Sequence, residues 1–394
     1  MSITFQQKFN SWIIHRWFII GLFAVAAIFA SIQALSLNQS AMIAGGRDYN
    51  AYNNYIIFKK SWEHLVTHKD IYAHYMTEQW DLYKYSPTFS FLFGAFAILP
   101  DFMGLTLWNL LNSLILAFAV YYLPFLSQKQ KAFILLACLI ESLTSMQNEQ
   151  SNGLMAGLII FAFGLCERKQ LFWAVMCIVL SLYIKIFGVV AMVIFLFYPD
   201  KIKAALYFLF WMLIFFLLPL LAVEWYQLKF LYFRWNQTLA MDHSVSYGLS
   251  VMGWLETWFK LHANKLVVTA IGGILLMLPM AFIKNYKDYS FRLLMLCSVL
   301  IWIVIFNHKA ESPTFIIAMA GVAIWFFSKK PAILDWILFV SAIILTSLSP
   351  SDLFPKPIRK AWVEPYVLKA LPCILIWGKI LYEMLSGRRE ERIE

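Results

Sequence analysis

Thr88-Phe89-Ser90-Phe91-Leu92-Phe93-Gly94-Ala95-Phe96-Ala97-Ile98-Leu99, running into Pro100-Asp101, decides how this chain is threaded. The run is apolar but roughly a dozen residues long, where about 20 are usually needed to cross a bilayer. It reads as a re-entrant or surface-lying helix that returns to the side it came from. Before it lies a polar insert. The insert opens with Gly45-Gly46-Arg47-Asp48-Tyr49, continues through an aromatic, amphipathic segment at 49–68, and closes with Tyr83-Lys84-Tyr85-Ser86-Pro87. A polar loop this large, early in an apolar chain, is more often a reaction or binding site than a linker.

The rest of the chain is overwhelmingly apolar. Hydrophobic residues make up 61% and charged residues 14%, with a mean hydropathy of +0.69. Soluble domains carry about a quarter charged residues, so a water-soluble globule is excluded. The 16 Trp and 19 Tyr suit membrane–water interfaces, where an apolar ring and a polar tip are both satisfied. The five cysteines (Cys138, Cys166, Cys177, Cys297, Cys373) lie in or beside apolar runs without ligand spacing, and read as small buried hydrophobes. The first apolar run is long enough to span and lacks a small-residue cleavage motif, so it reads as an uncleaved span.

Loop charge tests the re-entrant reading. If 88–99 does not cross, the spans are 17–35, 103–126, 131–147, 153–166, 170–183, 186–199, 203–223, 264–283, 291–307, 313–328, 331–348 and 366–385. The inner loops are then 127–131, 167–170, 200–203, 284–292, 328–330 and the tail 388–394, and each holds Lys or Arg. Were 88–99 to cross, all these short basic loops would face outward, against the positive-inside tendency. The expectation is an all-α integral membrane protein, one polytopic domain over 1–394. It has about 12 transmembrane helices, both termini cytoplasmic, and a first extracytoplasmic loop at 36–102. Several spans, notably 153–166, 170–183 and 186–199, are shorter than a bilayer usually demands. The outer loops hold about as many basic residues as the inner ones, which points to an anionic partner there.

On this topology the polar clusters gather on the outer side. They are Asp48, Lys84 to Pro87, Met146 to Asn152 with Gln150, Lys185, Arg234-Trp235-Asn236, Asp242-His243-Ser244, and Asn307-His308-Lys309 to Pro313. Asp48 precedes a helix-like run and reads either as an N-cap or as a chemical group, the two being compatible. Lys185 lies between apolar runs, where an unpaired ammonium is expensive; it either snorkels to the interface or contacts an anion. Glu141, inside a span, reads as a hydrogen-bonding link to a neighbouring helix. No zinc-ligand spacing, Asp-x-Asp pair or glycine-rich phosphate loop is present, so neither a metal nor a cofactor is expected.

One outer carboxylate among several cations suits a particular chemistry. Glycoside hydrolysis normally uses two carboxylates, one of them to protonate a poor alkoxide leaving group. Where the leaving group is already a phosphate, that proton is dispensable. A single base then suffices, with cations stabilising the departing charge. A lipid tail on that phosphate would explain why the chain sits in a bilayer.

The succession Arg47-Asp48-Tyr49, Asp70-Ile71-Tyr72, Tyr85-Ser86-Pro87, Leu99-Pro100 and Leu107-Trp108-Asn109-Leu110-Leu111-Asn112 resembles the start of glycosyltransferase family 87. The likeness continues in Gln150-Ser151-Asn152, similar to a family Gly-Gln-x-Asn element with Glu149 in place of the glycine. It goes on through Glu167-Arg168-Lys169 to Tyr183-Ile184-Lys185-Ile186, similar to a Lys-x-x-Pro stretch without the proline, and is thin beyond about residue 200. The resemblance implies a GT-C architecture with the re-entrant helix in the first outer loop, and a donor that is a polyprenyl-phosphate sugar, above all of mannose. It implies Asp48 as catalytic base. It also implies Lys185, His308, Lys309 and Lys84 as donor-phosphate ligands. Tyr49, Tyr85, Gln150, Asn152, Arg234 and Asn236 are the candidate substrate-binding residues. The expected partners are a lipid or glycan acceptor and the bilayer, with no nucleic acid. The expected location is a bacterial inner (plasma) membrane, with the site extracytoplasmic. Two other readings stay open: a lipid-linked-glycan polymerase or ligase, and a flippase or transporter of lipid-linked sugar. Against the transporter stand the one-sided polar clusters and the lack of a repeat.

Overall fold

The computed structural model describes residues 15–37, 42–44, 47–241 and 246–386, with backbone only at 42–44, 47 and 48. Gly45, Gly46, Asp242, His243 and Ser244, the lead-in and the tail at 388–394 lie outside the described residues. In chain order the first half comprises α1 (Arg16–Ser36), strands β1 (Met42–Ala44) and β2 (Arg47–Tyr49), α2 (Asn53–Val66), α3 (Pro87–Ala97), α4 (Asp101–Tyr122), α5 (Gln128–Gln147), α6 (Asn152–Glu167) and α7 (Leu171–Ile184). A 3-10 helix at Ile186–Phe197 follows. Then come α8 (Lys201–Leu217), α9 (Trp225–Met241), α10 (Val251–Phe259), α11 (Lys265–Met277), α12 (Tyr289–Ile305), α13 (Phe315–Phe327), α14 (Ile333–Ser341) and α15 (Leu371–Ser386).

A helical element occupies each of the twelve stretches expected to span. Length and apolarity together select three of them: Arg16–Ser36, Asp101–Tyr122 and Lys201–Leu221. Most of the others are shorter apolar helices, so twelve crossings are more than those two properties alone select. The 186–199 stretch is not an α-helix. Its 3-10 helix, 12 residues long, rises about 2.0 Å per residue and covers roughly 24 Å, as much as an α-helix of about 16 residues.

The core forms where α6 lies against α4. A Cβ on Gly153 would stand 2.8 Å from the Asn112 carbonyl oxygen, and one on Gly157 would stand 2.9 Å from the Ile115 carbonyl carbon. A Cβ on Gly164 would meet the Tyr122 ring at 2.8 Å. Small residues let the two backbones approach where lipid supplies no hydrophobic drive for association. The rising pairs of numbers show that the two helices run in the same direction. Helix α1 runs the other way along α4, with Asn109 Nδ2 donating to Ser31 Oγ at 3.0 Å and Ser113 Oγ to the Phe23 carbonyl at 2.7 Å.

The loops sort to two ends of this bundle. At one end Arg292 grips Glu167 through two hydrogen bonds of 2.6 and 2.7 Å, Tyr289 reaches the Pro124 carbonyl at 2.8 Å, and Gln130 reaches the Phe327 carbonyl at 2.9 Å. These are the short basic loops. At the other end Asn54 donates to the Asn148 carbonyl at 2.9 Å, Trp108 to the Glu149 carbonyl at 2.8 Å, and Asn152 to the Pro313 carbonyl at 3.0 Å.

Helix α3 has both its ends at this second end. Ser86 caps its start, accepting from the Phe89 N–H at 3.0 Å, with Pro87 at the first position, where a missing N–H costs nothing. Its 11 residues cover roughly 16 Å. Just before it Tyr85 meets Gln150; just after it Asp101 pairs with Lys59 at 2.6 Å and accepts from Tyr52 at 3.2 Å. Between those ends, α3 packs on α2 through the rings of Phe58, Phe89 and Phe93 and on α4 through Trp108. The N-cap reading of Asp48 is corrected. Tyr52 holds the N-cap of α2, and Asp48 pairs with Ile43 in the antiparallel strands. The all-α expectation holds among the described residues apart from these two three-residue strands.

Candidate active site

Lys185 is the single residue between α7 and the 3-10 helix, in extended backbone (φ −139, ψ 123) that fits neither. Its ammonium donates to Asn152 Oδ1 at 2.7 Å and Gln150 Oε1 at 3.2 Å. The Tyr85 and Phe187 rings lie 5.8 Å away, and Tyr85 donates its phenol to the same Gln150 oxygen at 3.4 Å. Both amide oxygens are neutral. Among the described residues no carboxylate pairs with this lysine. An ammonium has three N–H donors, so two bonds leave one N–H without an acceptor among the described residues, and no carboxylate touches the charge directly. Burial pushes Lys185 down to about 8, with Glu311 pulling the other way.

The turn at 148–152 positions the two amides. Glu149 takes left-handed backbone there (φ 48), a conformation that side chains with a Cβ resist and glycine accepts freely. The Trp108 indole fixes the turn from α4 by bonding the Glu149 carbonyl. The Glu149 side chain is buried, and burial holds its carboxyl well above the usual carboxylate range, opposed by the backbone N–H of Asn54. Glu149 Oε1, Ser145 Oγ and Ser312 Oγ are buried without a hydrogen-bond partner among the described residues. Such atoms are uncommon in folded proteins and invite a ligand or water.

The other candidates fall around this network. Tyr49 is buried and donates to the Met76 carbonyl at 2.7 Å. Lys84 pairs with Asp81 at 3.0 Å, and its carbonyl accepts from the Trp235 indole at 3.2 Å. Arg234 pairs with Asp70 at 2.8 Å and reaches Gln237 at 2.9 Å. Asn236 is exposed one residue beyond Trp235 on α9. His308 and Lys309 lie on the loop after α12, against which 248–249 packs. There the Leu249 N–H donates to the Ala310 carbonyl at 2.9 Å, and Gly248 (φ 60) leaves a Cβ position 2.5 Å from the His308 carbonyl oxygen. Asp48 stands in β2, and its side chain lies outside the described residues.

The stretch 225–262, outside the expected spans, holds two helices, and α9 lies across the first polar insert. Arg234 and Trp235 tie it there, as does Tyr232, whose hydroxyl meets Thr88 at 2.8 Å. Glu141 makes the hydrogen-bonded link across the bundle expected of it, accepting from Lys369 Nζ at 2.6 Å in a buried ion pair. Lys369 went unremarked in the sequence, although an ammonium beside an apolar run needs such a partner.

Fold and site together define a helical membrane protein with a cationic, aromatic-walled polar site at one end of its bundle. The family model of glycosyltransferase family 87 matches residues 83–306, more than half of the chain, and the chain belongs to that family. It is a glycosyltransferase. A comparison with curated proteins returns no match. The matched stretch contains Lys84, Tyr85, Gln150, Asn152, Lys185, Arg234 and Asn236, and runs well past residue 200, where the likeness read from motifs thins. It begins after Asp48 and Tyr49 and ends before His308 and Lys309.

Proposed function

We propose that the chain transfers a hexosyl residue, above all mannosyl, from a polyprenyl-phosphate sugar to a lipid or glycan acceptor on the extracytoplasmic face of a bacterial inner membrane. The acceptor oxygen attacks the anomeric carbon as the bond from that carbon to the phosphate oxygen breaks. The electron pair leaves with the polyprenyl phosphate, and Asp48 takes the proton of the attacking hydroxyl. One displacement inverts the anomeric carbon. Lys185 stabilises the charge that develops on the departing phosphate.

The observation that carries this reading is the Lys185 ammonium, held by two neutral amide oxygens and paired with no described carboxylate. A cation arranged in that way is set for an anion the protein itself does not supply. Tyr85 and Phe187 beside it offer apolar walls for the carbon chemistry around that phosphate. Membership of glycosyltransferase family 87 supports the sugar-transfer half of the reading.

The test is turnover of polyprenyl-phospho-mannose with a lipid or glycan acceptor by the purified chain in lipid. Asp48→Asn should keep donor binding and lose turnover by roughly a hundredfold to ten-thousandfold, the range that a positioned base supplies. Full turnover by a correctly inserted Asp48→Asn variant would remove the assigned role.

A further inference from the structure

At the end of the bundle opposite Lys185, a groove of about 420 Å³ opens between the starts of α7 and α8. Lys169 and Lys203 stand on its walls, with Asp200 the sole acidic residue among the described residues lining it. Asp200 pairs with Lys203 at 3.0 Å, so two ammonium groups face one carboxylate and the groove is left positive. The neighbouring cations point elsewhere: Arg168 stacks on the Tyr122 ring at 3.8 Å, and Lys201 lies over the Tyr286 ring at 5.8 Å. The groove's base is aromatic, with the Phe172 and Tyr207 rings edge to face at 5.1 Å.

An apolar track leads away from the groove. On α8, Ile202, Leu206, Leu209 and Leu213 are 79%, 60%, 64% and 56% exposed. Spaced by three or four residues, they form one stripe along the helix. Such a stripe in a membrane protein faces acyl chains. A soluble anion would use the lysines and leave the stripe idle, whereas a phospholipid uses both. Trp173, 50% exposed at the groove's edge, suits the headgroup level, where indoles concentrate.

We propose that this groove is a headgroup site for an anionic phospholipid. Its phosphate lies between Lys169 and Lys203, and its acyl chains run along the Ile202–Leu206–Leu209–Leu213 stripe. The site is separate from the glycosyl-transfer chemistry and does not depend on it.

Native mass spectrometry of the full chain, released from micelles containing phosphatidylglycerol or phosphatidylcholine, tests the proposal. Phosphatidylglycerol should be retained in preference to phosphatidylcholine. Lys169→Asn or Lys203→Gln should weaken that retention about fivefold each, and the pair about thirtyfold, at low ionic strength. Asn is chosen at 169 because the backbone there is left-handed (φ 60), which Asn tolerates. Asp200→Asn should strengthen retention severalfold, and Lys129→Gln, on another loop of the same end, should leave it unchanged. Equal retention of the two lipids would overturn the proposal, as would indifference of the double variant. Displacement of the lipid by glycerol phosphate alone would also overturn it, since the groove would then be a soluble-anion site.

Discussion

The Lys185 ammonium is held by the Gln150 and Asn152 amide oxygens, neutral partners that orient its charge without cancelling it. An ammonium between apolar runs was legible as a group in need of an anion or an interface. That Gln150 and Asn152 share its charge was not, because they come from a turn 33 to 35 residues earlier in the chain. Its proton is the handle for a test. Burial brings it to about 8 from an ordinary 10.5. Between those values the unfolded chain still holds the proton while the folded chain has lost it, so stability of the ligand-free protein rises with pH across that window and is flat below it. Anion binding runs the opposite way and should weaken as pH passes through about 8. Titration of polyprenyl phosphate across that range should show the loss in the wild type. Lys185→Met should lack the pH dependence and bind roughly tenfold to a hundredfold more weakly, the scale of a charge-assisted hydrogen bond. Glu149 offers a second residue-scale test. Its carboxyl is buried with one oxygen unpartnered, on backbone that a Cβ resists. Glu149→Gly gives up the bond from Asn54 but relieves about 1–2 kcal/mol of left-handed strain together with the burial of an acid. The thermal midpoint should rise; a fall would mean that the Asn54 contact dominates. The glycine that the family likeness places at this position has its physical reason in that backbone angle.

At the scale of elements, hydropathy located the helices because an apolar run must be helical wherever lipid offers no partner for backbone N–H and C=O groups. It did not reveal what kind of helix. Ile186–Phe197 is wound as a 3-10 helix, and Gly188 is the residue that lets it start close to α7, since a Cβ there would stand 2.5 Å from Ser181 Oγ. The two strands around Gly45 and Gly46 were also missed: three residues a side give too short an alternation to stand out. The α4–α6 contact, by contrast, yields a sharp expectation. A Cβ on Gly157 meets backbone of Ile115 and Leu116 at 2.9 Å, and backbone cannot swing aside as a side chain can. Gly157→Ala should cost about 1–3 kcal/mol by overpacking, and Gly157→Leu should prevent the chain from reaching its native state. Gly273 on α11, with nothing within 4 Å of its Cβ position, is the matched control, and Gly273→Ala should leave the thermal midpoint in detergent unchanged or slightly raised. Equal destabilisation by the two alanines would show that helix approach is not what Gly157 provides.

For the whole molecule, the information lay in the short basic loops. Each is a weak signal alone, but their agreement on one side argues for one parity of the threading, and with it for the return of 88–99. The tertiary contacts sort the loops in the same way. Tyr85 before α3 meets Gln150, Asp101 after it meets Tyr52 and Lys59, and Asn54 ties those two segments together, while the Glu167–Arg292 pair closes the far end. Contacts order the ends of a bundle; the side of a membrane each end faces is a separate quantity, and labelling can read it. All five native cysteines are buried, so a membrane-impermeant maleimide should find little background. Thr77 precedes α3, Asn236 lies on α9, Lys129 lies at the other end, and all three are exposed. In sealed, right-side-out vesicles, Thr77→Cys and Asn236→Cys should label from outside, and Lys129→Cys only after the membrane is opened. Had α3 crossed, Thr77 and Asn236 would face opposite sides, and one of them would be protected together with Lys185. Protection of either would therefore move Lys185 and Asp48 to different compartments and end the proposed single site. Joint labelling would leave them facing the same solution, as a base and a phosphate ligand of one reaction must.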